Sequence, residues 1–196
     1  MMNGLKLNFA NRITVFRILA VPFFIAVLLY YSAERDYLRY AALGIFLFAV
    51  ISDVIDGYIA RTRHQKTPAG AILDPLADKL LLISAFICLY RVGENLPSVS
   101  FPLWFVVTVI SRDVILLIGA LLVFLIHGQL SVEATLWGKI STFFQVIAVI
   151  AMLIQWPVPI IWYATVLFAV ISGVDYIRYG IKILNLPRGQ INTLSR

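Results

Sequence analysis

Six apolar runs, near residues 12–31, 37–60, 72–92, 101–126, 137–156 and 158–183, leave this chain few folds to choose from. Each is close to the roughly 20 residues that cross a hydrocarbon core, where a helix satisfies its own backbone hydrogen bonds. Of the 196 residues only 13% are charged, against about 25% in a soluble domain. The expected fold is all-α: an integral membrane bundle of six transmembrane helices, a single domain over residues 1–196. Leu5, Lys6, Leu7 and Phe9 can add a short N-terminal interfacial helix. Arg17 interrupts the first run and no small-x-small cleavage site follows it, so the first helix is expected to stay uncleaved. The connections are short, and the sequence shows no tandem repeat or low-complexity tract.

The net charge is +6, and its placement sets the topology. With six spans both termini share one side. That side holds Lys6, Arg12, Arg17, Arg61, Arg63, Lys66, Lys139, Arg178, Lys182, Arg188 and Arg196, while the other holds Arg35, Arg39 and Arg91. The asymmetry predicts cytoplasmic termini and a cytoplasmic 61–70 loop. Basic residues distributed in this way match a bilayer surface and imply no nucleic-acid partner. Trp104, Trp156 and Trp162 are expected at the outer interface and Trp137 at the inner one, as an aromatic belt. Cys88 is the only cysteine, which excludes an intramolecular disulfide and a thiolate metal site. His64 and His127 fall in expected loops, and neither has a second histidine near it.

Against this apolar background stand four carboxylates. Asp53, Asp56, Gly57, Ala60 and Arg61 follow helical spacing along one face, and Gly70, Asp74 and Asp78 do the same on the next helix. Two stripes of small and acidic residues can thus face each other across an antiparallel pair at the cytoplasmic end. Four close carboxylates cannot all stay ionised in a low-dielectric site, so either some are protonated or cations neutralise them. An all-oxygen donor set suits Mg²⁺, Mn²⁺ or Ca²⁺, and four shared carboxylates suit two such ions. The small residues leave room for a ligand against the backbone, and Arg61 offers a fork to phosphate oxygens. Pro75 fits a helix first turn, whose N-terminus would point at anions, or a kink. Close helix packing alone would explain Gly57, Ala60 and Gly70 but not four aspartates.

The run Asp53-x2-Asp56-Gly57-x2-Ala60-Arg61-x8-Gly70-x3-Asp74-x3-Asp78 resembles, at every fixed position, the signature of the CDP-alcohol phosphatidyltransferases. Eight fixed residues at set spacing arise by chance on the order of once in 10¹⁰ starting positions. The resemblance implies transfer of a phosphatidyl group from CDP-diacylglycerol to a hydroxyl, with release of CMP. It implies two Mg²⁺ or Mn²⁺ ions held by Asp53, Asp56, Asp74 and Asp78. It also implies a CDP-lipid pocket formed by Asp53, Asp56, Gly57, Ala60, Arg61, Gly70 and Asp74, with Asp78 as general base. A homodimer in a bacterial inner membrane, with a cytoplasmic active site, follows from the same likeness.

Secondary segments bear on the acceptor. Asn11–Ile18, Gly138–Gln145 and Ser172–Tyr176 resemble segments of bacterial phosphatidylglycerophosphate synthases, which use glycerol 3-phosphate. Arg112, Lys139 and Arg17 can supply the cations such a dianion needs. Arg112 can instead pair with Asp113 or Asp175, since intramembrane charges usually pair. Asp175 and Tyr176 can line the acceptor cavity or serve structure. Two features depart from the pattern. Ser141 stands where a second lysine is usual, and Ser111-Arg112-Asp113 resembles cardiolipin synthases of eukaryotic type, whose acceptor is phosphatidylglycerol. An ion-coupled transporter is the non-enzymatic alternative, but it would place its carboxylates near the midplane, often in inverted repeats.

Overall fold

The computed structural model describes residues 9–62, 68–127, 135–156 and 159–184, with side chains for residues 18–54, 79–122, 135–156, 159–178 and 180. These residues form six α-helices: α1 (Phe9–Leu29), α2 (Tyr37–Thr62), α3 (Pro68–Val92), α4 (Leu103–His127), α5 (Leu136–Leu153) and α6 (Pro159–Leu184). Short 3₁₀ turns at Ala33–Arg35 and Gly93–Asn95 join α1 to α2 and follow α3, and no strand occurs among the described residues. Four stretches are long and apolar enough to cross a membrane: Tyr37–Val54, Leu103–Leu122, Leu136–Leu153 and Pro159–Arg178. In α1 the corresponding stretch, Ile18–Leu29, is shorter. The interfacial segment expected before Phe9 lies outside the described residues, as do His64 and the 63–67 connection.

Two boundaries differ from the sequence reading. The third helix begins at Pro68, so Pro75 sits about two turns inside it rather than in its first turn. Pro68 takes the first helical position, where a missing N–H costs nothing and the fixed φ already suits a helix. The N-terminal dipole of α3 therefore lies at Pro68 and not at Asp74. His127 ends α4 instead of lying in a loop.

The chain folds as two compact units. The first lies within Met1–Ser100 and takes in Leu153–Trp156; the second lies within Phe101–Met152 and Pro157–Arg196. In the first, α1 packs against both α2 and α3. The buried positions follow helical periodicity: Phe24 and Leu28 on α1, Ala42, Phe46 and Ala49 on α2, and Leu82, Ala85, Phe86 and Leu89 on α3. Phe24 and Phe46 meet with ring centroids 6.0 Å apart, and Ala42 and Ala49 beside Phe46 let the helices approach. Lipid tails are as apolar as these side chains, so tight contact rather than escape from water holds such helices together.

A polar knot closes one end of this unit. Arg39 is buried, and its Nε and Nη2 each donate to the Asp36 carboxylate at 2.7 Å, while Nη1 donates to the Leu153 carbonyl at 2.7 Å. The guanidinium thus neutralises its charge and satisfies a carbonyl at the last residue of α5, one of the acceptors every helix end leaves open. Two residues on, Gln155 adopts a left-handed backbone, φ 59°, which costs a non-glycine residue about 1–2 kcal/mol. Its side chain offsets this: Oε1 accepts from the Ser98 and Val99 amides at 2.9 Å each, and Nε2 donates to the Val99 carbonyl at 3.3 Å.

Hydrogen bonding from Arg39, with its nearby positive charge, holds the Asp36 carboxyl below the usual carboxylate range. A lowered folded-state pKa means that its contribution is present above the unfolded value, about 3.9, and lost as pH falls through the folded value. The thermal midpoint of the solubilised protein should therefore drop more steeply below about pH 4 in the native chain than in Asp36→Asn. Differential scanning fluorimetry across that range reads the difference. Parallel curves would show that the pair contributes nothing.

Candidate functional site

The acidic signature falls on the end of α2 and the first half of α3. Asp53, Asp56, Gly57, Ala60 and Arg61 lie on α2, and Gly70, Asp74 and Asp78 on α3. Helical backbone at all eight positions gives each group the one-face register expected of it. Thr62 ends one helix and Pro68 begins the next, so both stripes lie within a few helical turns of the same short connection. Asp53 is half-buried and engaged in an interaction of its own. The side chains of Asp56, Gly57, Ala60, Arg61, Gly70, Asp74 and Asp78, and that of Arg17, lie outside the described residues. Among the described side chains no three His, Cys, Asp or Glu residues cluster. The donor set carried by the two helices is four carboxylates, which fits a hard divalent cation and neither zinc nor copper.

The second unit contains a buried polar cluster. Its helices α4 and α6 run parallel: Trp104 stacks on Tyr163 at 5.7 Å, Phe105 packs on Trp162 at 6.5 Å, and further along Arg112 reaches Ser172. Next comes Gly119 against Tyr176, where an added Cβ would lie 2.9 Å from the tyrosine ring. Only glycine lets that ring lie so close to the α4 backbone. Antiparallel to both, α5 touches α6 through Phe144 on Phe168 at 4.7 Å and Trp137 on Phe168 at 6.4 Å. Thr135 caps α5, its Oγ1 accepting from the Gly138 amide at 3.2 Å, a favoured N-cap arrangement.

Inside this frame Arg112 and Asp113 form an ion pair, Nη1 to Oδ1 at 2.6 Å, with side chains 5% and 1% exposed. Arg112 Nη2 donates to Ser172 Oγ. Behind the pair, Gln145 Nε2 donates to Asp113 Oδ1 at 3.4 Å, a long bond by ordinary criteria. Arg112 Nε, Ser141 Oγ and Gln145 Oε1 are buried and find no hydrogen-bond partner among the described residues. Arg112 therefore takes Asp113 as its partner, one of the two pairings open from sequence. Asp175 is half-buried on α6. Lys139, in the first turn of α5, is exposed. The sequence reading named Gln145 only as the end of the Gly138–Gln145 segment, although a glutamine one turn beyond Ser141 in an apolar run marks an inward polar face.

The apolar helices define a helical membrane protein. Its family follows from comparison with known proteins. A family model for CDP-alcohol phosphatidyltransferase matches residues 7–174. The chain is 32% identical over 182 residues to a probable phosphatidylglycerophosphate synthase of Mycobacterium tuberculosis H37Rv, covering 89% of this chain and 82% of that protein. It is 35% identical over 191 residues to the CDP-diacylglycerol–glycerol-3-phosphate 3-phosphatidyltransferase of Bacillus subtilis, covering 86% and 93%. It is 34% identical over 162 residues to the enzyme of that name in Escherichia coli K12, covering 81% of each. The chain belongs to the CDP-alcohol phosphatidyltransferase family and is an enzyme of phospholipid biosynthesis.

Removing one partner of a buried ion pair strands the other charge, at a cost of about 3–5 kcal/mol, whereas replacing both by apolar residues is often neutral. Arg112→Met should lower the unfolding free energy in detergent by about 3 kcal/mol, and Arg112→Met with Asp113→Leu should recover most of that loss. Equal stability of the native chain and the single variant would show that water reaches the pair.

Proposed function

We propose that this chain transfers the phosphatidyl group of CDP-diacylglycerol to glycerol 3-phosphate, forming phosphatidylglycerophosphate and releasing CMP. The observation that carries the reading is the complete eight-position signature on two consecutive helices of a chain belonging to this family. The acceptor is taken from the relatives, whose names specify glycerol 3-phosphate. The whole chain acts as one membrane domain of six spans, with its termini and active site at the cytoplasmic face of a bacterial inner membrane, and assembles as a homodimer. The charge asymmetry between the two sides supports this topology.

In this reading Asp53, Asp56, Asp74 and Asp78 would hold two Mg²⁺ or Mn²⁺ ions. Bound there, such ions would neutralise the donor's pyrophosphate and the charge gathering on CMP. Gly57, Ala60 and Gly70 would leave room for the CDP head, and Arg61 would supply a cation for its phosphate oxygens. The acceptor hydroxyl attacks the phosphatidyl phosphorus, its proton passes to the Asp78 carboxylate, and the bond from phosphorus to the CMP oxygen breaks. Arg112 and Lys139 meet the acceptor's phosphate.

Burial of Ser141 in the position usually held by a lysine leaves one fewer cation at this site, which favours phosphatidylglycerol as the acceptor in a second reading. Purified enzyme with Mg²⁺ or Mn²⁺ should release CMP from CDP-diacylglycerol when glycerol 3-phosphate is supplied, and not with serine, inositol phosphate or free glycerol. Release with phosphatidylglycerol alone would establish the second reading. No CMP with any alcohol would sink the activity. For the base, Asp78→Asn should reduce turnover by at least about 10²-fold while binding of the CDP-lipid largely survives; full activity would remove Asp78 from that role.

A further inference from the structure

We propose that Asp113 is a positioning residue that fixes the Arg112 guanidinium across the α4–α6 seam and thereby sets the enzyme's affinity for its anionic acceptor. The inference rests on the reading above in which Arg112 and Lys139 meet that acceptor. Asp113 Oδ1 takes Arg112 Nη1 at 2.6 Å and also accepts from Gln145 Nε2 at 3.4 Å, while Arg112 Nη2 goes to Ser172 Oγ. Two nitrogens of the fork are thereby tied to α4 and α6, and Nε is left without a partner among the described residues. The clamp lies against the start of α5. A Cβ on Gly138 would stand 3.7 Å from Arg112 Nη2, 3.7 Å from Ser172 Oγ and 3.4 Å from Thr135 Oγ1. Lys139, the next residue, is exposed. One arrangement therefore sets both the direction of the guanidinium and the surroundings of the turn that carries the lysine.

The proposal has a sign that charge alone does not give. Asp113 is negative, so on electrostatics its neutralisation should make the site more positive and tighten anion binding. On positioning, a released guanidinium swings among the many rotamers of its stem and recognition weakens, since small misplacements of a binding group cost rate and affinity steeply.

The test uses the full-length enzyme in detergent with Mg²⁺, varying glycerol 3-phosphate and CDP-diacylglycerol separately. Asp113→Asn should raise KM for glycerol 3-phosphate about tenfold or more, leaving kcat and the KM for CDP-diacylglycerol within about twofold. An unchanged or lowered acceptor KM overturns the proposal, and so does a fall in kcat alone. Should Asp113→Asn fail to fold, Ser172→Ala removes only the acceptor of Nη2. It should raise the same KM about threefold, and no rise overturns the proposal. A wild-type enzyme active with another alcohol but silent with glycerol 3-phosphate overturns the acceptor assignment, and the same KM split is then required with that alcohol. Wild-type enzyme that releases no CMP with any of these alcohols overturns both.

Discussion

Water is missing at membrane depth, and this constraint governs the molecule. A backbone there must close its hydrogen bonds within its own segment, so the described apolar residues are helical. A charge there must find a partner or a function. The chain meets the second demand with Arg39 and Arg112, each of which takes a nearby aspartate and gives one further donor to another segment. Arg39 binds Asp36 and reaches the Leu153 carbonyl; Arg112 binds Asp113 and reaches Ser172. In both cases a local pair cancels the charge, and the fork geometry converts the leftover N–H groups into a tertiary link. Lysine, a point charge on a flexible stem, offers no such fork.

Van der Waals fit does the remaining work, because burying apolar surface from lipid gains little. Small residues matter for that reason. Gly119 admits the Tyr176 ring against α4, and Gly138 lies beside the guanidinium and Ser172 at the start of α5. The aromatic contacts at the starts of α4 and α6, Trp104 on Tyr163 and Trp162 against Phe101 and Phe105, join side chains expected at the outer interface.

The acidic signature differs in kind from these ion pairs. Its four aspartates lie on two consecutive helices, either side of one short connection. Such a donor set is costly unless cations or protons offset it. In the proposed reaction that cost becomes the means of holding a pyrophosphate, with the donor's head meeting the carboxylates and its acyl chains remaining in the bilayer.

Helical class, the approximate span of each helix and the one-face register of the signature were all legible in the sequence, because hydrophobic run length and periodicity are local properties. The start of α3 was not: Pro75 beside Asp74 fitted a first turn or a kink, and Pro68 holds the first-turn position. Nor did sequence choose among the partners of Arg112. Asp113 and Asp175 were equally available on paper, and Ser172 and Gln145, though part of the segments singled out above, carried no sign of joining that pair. That choice needed tertiary structure, because it depends on which faces of α4, α5 and α6 meet around the arginine. The sequence by itself determined a helical membrane enzyme with a four-aspartate signature, since spacing along a helix is arithmetic. Only the packing of separate helices decided how the buried arginines are held, since a side chain finds its partner across space and not along the chain.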